Sequence, residues 1–303
     1  MAHREPATMI DVATALGQGE QGPFPFEQFA VKALAQGDSW FSIGALPPGV
    51  TSNLLLEMAF AKRAVIVQTA RPGKVLRLFT DTTSEPNFLR MMNGPLASRW
   101  SAIFISGMGN DLIAAAGSPP NEAPERRLLR TPAERGAGPQ PGHDHTSAFV
   151  SEPGWDTFAG HMRVVFKQLV DLRDRGPNLR VPLLMHNYAR VMPRPSGAGL
   201  GQGPWLHPAF EAFAIPLSQR LAVADELLGR MGALIKQLMV ERRASDPLCN
   251  LHLVDTMGQA GVTVAAAGAT GSSGDWANEI HLTRGGYRKC AAVWADVLEE
   301  LVP

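Results

Sequence analysis

The chain has 303 residues, of which 45% are hydrophobic and 18% charged, enough apolar material for a large core and unlike a disordered sequence. Lysine plus arginine and aspartate plus glutamate both number 28, so the formal charge is zero and no long block of one sign stands out. That balance argues against nucleic acid or an acidic membrane surface as the main partner, because both need a concentrated basic patch.

Residues 1–27 carry scattered charges and the breakers Gly17, Gly19, Gly22, Pro23 and Pro25, without the apolar core of an export signal. We expect this segment to be loosely structured, the protein to be cytoplasmic, and one domain to run over 28–303. No stretch reaches the roughly twenty apolar residues of a membrane span. Phe29 to Ala35 (FAVKALA) reads as a buried strand that exits into Gln36-Gly37-Asp38-Ser39-Trp40-Phe41. In an open parallel sheet, ligands bind outside the carboxyl ends of the strands, which makes Ser39 a candidate nucleophile. A lone Gly-Asp-Ser is by default no more than a capped turn, so the rest of the chain has to decide.

Asn53 to Ala61 (NLLLEMAFA) suits a short buried helix or a loop helix, and Arg63 to Thr69 (RAVIVQT) a second strand, followed by the breakers Pro72 and Gly73. Ser84-Glu85-Pro86 marks a helix start leading to Met92. Ser101 to Ser106 (SAIFIS) is a third strand, running into Gly107-Met108-Gly109-Asn110-Asp111. Residues 114–152 are rich in proline, glycine, arginine and glutamate, and a connection of that length is an insertion, either a lid or a disordered segment. His143-Asp144-His145 lies within it, but two histidines around one aspartate in a loop fall short of a metal site, and the two cysteines, Cys249 and Cys290, have no ligand spacing.

Trp155 to Arg173 carries an apolar stripe at three- and four-residue steps and is a helix. Leu179 to Met185 is a fourth strand, with Pro182 hinting at an edge or bulge, and it is followed by His186 and a glycine-studded loop to Pro208. Pro216 to Arg243 is a long helix with Leu217, Leu221, Ala224, Leu228, Met231, Ile235 and Leu238 on one face. Cys249 to Val254 is a fifth strand containing His252, and Tyr287 to Leu301 is the final helix. Strands alternating with helices predict an α/β fold: a doubly wound, mainly parallel five-stranded sheet with helices on both faces. Ser39, Gly73, Asn110, His186 and Asp255 then fall at one sheet edge. His281, in the loop before the last helix, is placed to serve as a general base.

These places resemble the SGNH hydrolases, also called the GDSL family. Gly37-Asp38-Ser39 is similar to the nucleophile block, Gly73 to the second block, Gly109-Asn110-Asp111 to the third, and Asn278 through His281 with Gly286-Tyr287 to the fifth. The resemblance implies the flavodoxin-like SGNH hydrolase fold and hydrolysis of an acyl ester through an acyl-enzyme. In it Ser39 is the nucleophile, His281 the base, and the Ser39 N–H, the Gly73 N–H and the Asn110 amide hold the oxyanion. It implies no cofactor or metal, and a small-molecule ester as partner.

Two positions depart from the family pattern. Asn278 stands where aspartate usually orients the histidine, so Asp275, Glu279 and Asp255 remain alternatives for that task, with Asn278 first and Asp275 second. Met108 stands where the third block usually has glycine. Trp40, Met108 and Trp205, with Phe41 and Phe210, are expected near the site and favour an apolar acyl chain. A binding module that has lost activity, or a carbohydrate O-acetyl esterase, are the other readings.

Overall fold

β-Branched and other apolar runs pair into a sheet whose strands are β1 (Thr8–Ile10), β2 (Val31–Gly37), β3 (Ala64–Gln68), β4 (Ala102–Ser106), β5 (Leu183–His186) and β6 (Leu251–Val254). Their spatial order is β1-β3-β2-β4-β5-β6 and every neighbouring pair is parallel. This computed structural model describes residues 3–18, 23–42, 52–94, 97–136, 147–199, 201–245 and 249–302. β4 and β5 are buried at every position and β2 and β3 at all but one, as strands covered on both faces must be.

Without β1 the order is the flavodoxin-like one, in which the chain reverses direction between its first and third strands and opens a crevice there. Here those strands are β2 and β4. Their last residues are in register, Gly37 opposite Ser106. A Cβ on Gly37 would come within 2.8 Å of the Ser106 Cβ, so glycine is what lets the two strand ends close at that height.

The helices follow the apolar periodicity. Those that cover the sheet or carry the site are α1 (Ser39–Ser42), α2 (Pro86–Met92), α3 (Gly109–Ala116), α4 (Glu152–Asp174), α5 (Leu217–Ser245) and α6 (Arg284–Leu301). α6 is capped by Thr283, whose hydroxyl accepts the Gly286 N–H at 3.3 Å. In α5 the buried stripe begins at Arg220 and Val223; Leu217 is exposed, one turn short of the core. Trp294 on α6 meets the rings of Phe41, Phe104 and His186, so an aromatic cluster sits under the carboxyl edge of the sheet.

Two expectations need correction. The sheet has six strands rather than five, because β1 comes from the segment read as loosely structured. Thr8–Ile10 pairs with β3, Glu5–Pro6 pairs antiparallel with Ala59–Phe60, and Arg4 reaches Asp296 and Glu299 on α6. A three-residue edge strand is too short to leave a period-two signal, and only its partner strand makes it visible. Asn53 to Ala61 is also not a helix but a single turn at Leu55–Glu57 followed by that short strand.

The described parts of 114–152 are tied down rather than loose. Leu129 bridges Val150, and the Arg127 guanidinium, buried, donates to the Leu129 carbonyl and to Glu134. His143, Asp144 and His145 lie outside the described residues, as does the centre of the expected lid.

Candidate active site

Ser39 is the first residue of α1, directly after β2, so its N–H is one of those left without a partner inside the helix. Asn110 is the second residue of α3, a short turn past the end of β4. It is anchored by one amide hydrogen donated to the Lys74 carbonyl at 2.8 Å, and its second amide hydrogen has no partner among the described residues. Beside it the Asp111 carboxylate accepts the Leu76 N–H at 2.7 Å, so the third block clamps the 74–76 segment that follows Gly73. Gly73 itself is exposed, with φ of 75°.

Ser39 and Asn110 both line a small cavity of about 50 Å³, whose other walls include Trp40, Tyr188, Leu206 and Ile280. Gly73, Met108, Trp205 and His281 are not among its lining residues. Met108 is buried, in the left-handed conformation just before α3, with φ of 74°. Phe41 and Phe210 are core side chains.

The loop before α6 carries the histidine. The Asn278 side-chain carbonyl accepts the Ile280 N–H at 3.1 Å, the His281 N–H at 2.9 Å and the His281 Nδ1–H at 3.1 Å. The two backbone donors fix which way the amide faces, and that orientation assigns the ring proton to Nδ1. Nε2 is then the basic nitrogen. It is buried and has no hydrogen-bond partner among the described residues. Burial pushes the imidazole down to about 4, so His281 is neutral across the ordinary range of pH. Trp205 packs edge-on against the ring at 5.3 Å, and the Trp40 indole N–H donates to the Ile280 carbonyl at 3.0 Å. The residues next to Ser39 and His281 are therefore bonded to each other, although Ser39 and His281 are not.

Of the residues considered for orienting His281, only Asn278 touches it. Asp275 instead accepts from Lys289 and from the Thr263 N–H, both at 2.6 Å. Asp255 accepts from the Asn187 amide and the Gly258 N–H. Glu279, almost fully buried, accepts the N–H groups of Arg194, Trp205, Leu206 and His207, so it anchors the loop that carries Trp205. Arg194, also buried, donates to the carbonyls of Ala269, Gly271 and Asn278 and holds the histidine loop from the other side. Nothing in the spacing of the sequence pointed to Glu279 or Arg194 as a clamp, because their partners are main-chain groups on distant loops.

Below Ser39 lies a buried polar network. Asp38 accepts from the Trp40 N–H at 3.0 Å, the Ser106 hydroxyl at 2.8 Å and the Tyr188 hydroxyl at 2.5 Å. Full burial nevertheless pushes its carboxyl up to about 6. His186 Nε2 sits 2.9 Å from the Ser106 hydroxyl. Because Ser106 gives its own hydrogen to Asp38, His186 must be the donor in that contact. Burial holds the His186 ring down at about 3, so it is a neutral structural histidine.

No family model and no curated protein matches the chain. Among solved structures it is similar to a provisionally assigned arylesterase from Agrobacterium tumefaciens str. C58, at 14% identity over 89% of this chain and 99% of that one, with a TM-score of 0.48. It is also similar to Est24, a carbohydrate acetylesterase from Sinorhizobium meliloti, at 13% identity over 89% and 99%, TM-score 0.46. An extracellular lipase from Streptomyces rimosus aligns at 15% identity over 89% and 99%, TM-score 0.44. The chain has a doubly wound, flavodoxin-like α/β fold, with Gly37-Asp38-Ser39, Gly109-Asn110-Asp111 and the Asn278-to-His281 loop at the carboxyl edge of the sheet, where the resemblance to SGNH hydrolases expects them.

Proposed function

We propose that the protein is a serine esterase that hydrolyses small acyl esters. The observation that carries this reading is His281. Its Nδ1–H is fixed by Asn278, and its Nε2 is buried, basic and without a partner among the described residues. A buried imidazole nitrogen left without a partner is costly, and a proton acceptor waiting for a substrate-bound serine explains it. Its low pKa keeps it in the basic form.

In this reading Nε2 takes the Ser39 hydroxyl proton as Oγ attacks the ester carbonyl. The Ser39 N–H and the second amide hydrogen of Asn110 meet the oxyanion, with the Gly73 N–H as the third donor that the family resemblance implies. His281 then returns the proton to the leaving alcohol, and water repeats the cycle on the acyl-enzyme. Losing one oxyanion donor typically costs about 10²–10³ in rate, so Asn110→Ala should fall in that range.

A site of about 50 Å³ holds roughly three to five water-sized groups. With Trp40, Leu206 and Ile280 as walls, that fits a short apolar acyl chain, up to about butyryl. The same small volume supports a second reading, an O-acetyl esterase acting on a carbohydrate.

p-Nitrophenyl esters of increasing chain length test the two together, with Ser39→Ala as control and a fluorophosphonate adduct located by mass spectrometry. Turnover and an adduct on Ser39, both lost in Ser39→Ala, establish the serine esterase. A rate that peaks at acetate favours the acetyl reading, and one that peaks at butyrate the apolar chain. Well-folded protein with neither turnover nor adduct refutes the proposal and leaves a binding module on the same fold.

A further inference from the structure

We propose that Tyr188 is a positioning residue that holds the nucleophile turn and the oxyanion arm in register. Its hydroxyl donates to the Asp38 carboxylate, next to Ser39, and accepts the backbone N–H of Gly109, next to Asn110. This deepens the esterase reading and rests on it.

The two contacts are 2.5 and 3.2 Å, and the hydroxyl spans the crevice between the ends of β2 and β4. Gly109 makes room for the ring: a Cβ there would stand 2.6 Å from Tyr188 Cζ. Tyr188 itself has φ of 61°, a left-handed conformation that a bulky side chain rarely adopts and that persists only where its surroundings impose it. The Thr256 hydroxyl, bonded to the Tyr188 carbonyl, and the T-shaped packing of Trp40 at 5.1 Å fix it from two further sides. The Gly109 N–H is thereby committed to Tyr188 and is no oxyanion donor; its task is to set where α3, and with it Asn110, begins.

The direction of the hydrogen bonds gives the bridge a dependence on pH. His186 Nε2–H donates to Ser106, Ser106 and Tyr188 donate to Asp38, and the Trp40 N–H donates to Asp38 as well. Three donors converge on one carboxylate, with His186 behind Ser106, so the arrangement is complete only while Asp38 is ionised. The titratable groups that face it are Tyr188 and His186 from the end of β5, Asp111 from α3 and Tyr287 from α6. Burial raises the Asp38 carboxyl and Asp111 adds to the rise, whereas the Tyr188 hydrogen bond lowers it. When Asp38 takes a proton, one of its donors loses its acceptor and the turn beneath Ser39 must rearrange.

Two readouts test the bridge: kcat and KM from pH 5 to 9 on p-nitrophenyl acetate, and the titration of the Asp38 carboxyl carbon by NMR, assigned by its loss in Asp38→Asn. Tyr188→Phe keeps the ring and removes the hydroxyl. We expect kcat at pH 8 to fall about 10- to 100-fold with KM within about twofold, as displacement of a catalytic group by part of an ångström does. The acid limb of kcat and the Asp38 titration should both move upward. Ser106→Ala removes a different donor to Asp38 and leaves the Gly109 contact in place, so it should move the acid limb upward while lowering kcat at pH 8 less than Tyr188→Phe does.

An active wild type whose kcat and acid limb are unmoved by Tyr188→Phe overturns the bridge and leaves the esterase standing. An inactive wild type whose Asp38 titration still responds to Tyr188→Phe overturns the esterase reading and upholds the bridge. Should Tyr188→Phe fail to fold, Ser106→Ala carries the test: an upward acid limb supports the network, and an unshifted one refutes it.

Discussion

Replacing Asn278 with aspartate should make the site faster. The Asn278 carbonyl already accepts from two backbone N–H groups and from the ring Nδ1–H, and a carboxylate oxygen in the same place accepts the same three donors without turning. What changes is charge. During the reaction His281 becomes imidazolium, and a carboxylate with its charge about 5 Å from the ring attracts it by roughly 3 kcal/mol at an effective dielectric near 20. Burying the new carboxylate takes back part of this, and the Arg194 guanidinium, which donates to the main-chain carbonyl of Asn278 at 2.8 Å, is a nearby positive charge that returns some of it. A net gain of about 1–2 kcal/mol corresponds to about a 5- to 30-fold rise in kcat.

The same charge favours protonated His281 and should lift its titration from about 4 by about one to two pH units. The assay is kcat on p-nitrophenyl acetate at pH 8 for wild type and Asn278→Asp, paired with an NMR titration of the His281 ring. A folded Asn278→Asp variant with unchanged kcat and an unmoved His281 titration would show that Asn278 does not face the working base, and would refute this account of the site.

Glu279→Gln sets an amide NH₂ among four backbone N–H donors. It should cost about 2–3 kcal/mol in denaturant unfolding and lower kcat as the Trp205 loop loosens from His281; unchanged stability would mean the clamp is idle. Gly154→Ala would place a Cβ 1.9 Å from the Arg127 carbonyl oxygen, so it should lower the melting temperature by several degrees or prevent folding, and a wild-type melting curve would contradict the packing of α4. Stability should also fall on acidification. His281 and His186 are held at about 4 and about 3, below their unfolded value near 6.5, so the stability they confer is complete above pH about 6.5 and drains away as pH falls toward those values. Asp38, raised to about 6, acts in the opposite sense, regaining stability as pH falls from about 6 toward 4. His207 and His252 are lowered by burial as well, and Asp111 and Glu279 raised by it, so four histidines stand against three carboxylates; the melting temperature should be lower at pH 4.5 than at pH 7, and a flat or rising profile refutes the assignment.

Periodicity and punctuation alone determined the five strands and the long helices, because an apolar run or stripe long enough to be buried has to show in the residue order. They also determined that Ser39, Asn110 and His281 follow strand ends or precede a helix, since the crevice of a doubly wound sheet lies where strands stop. Three-dimensional packing decided the rest. β1 is three residues long and exists only because β3 offers it a partner. The sequence ranks Asn278 ahead of Asp275 as the partner of His281 by position alone, and it is the turn closed by Asn278 on two of the N–H groups after it that seats the ring there, while Asp275 is turned away to Lys289. Tyr188, Glu279 and Arg194 carry no motif because their partners are a buried carboxylate and main-chain groups 70 or more residues away. Contacts of that kind leave no spacing to read, and only the fold brings their two halves together.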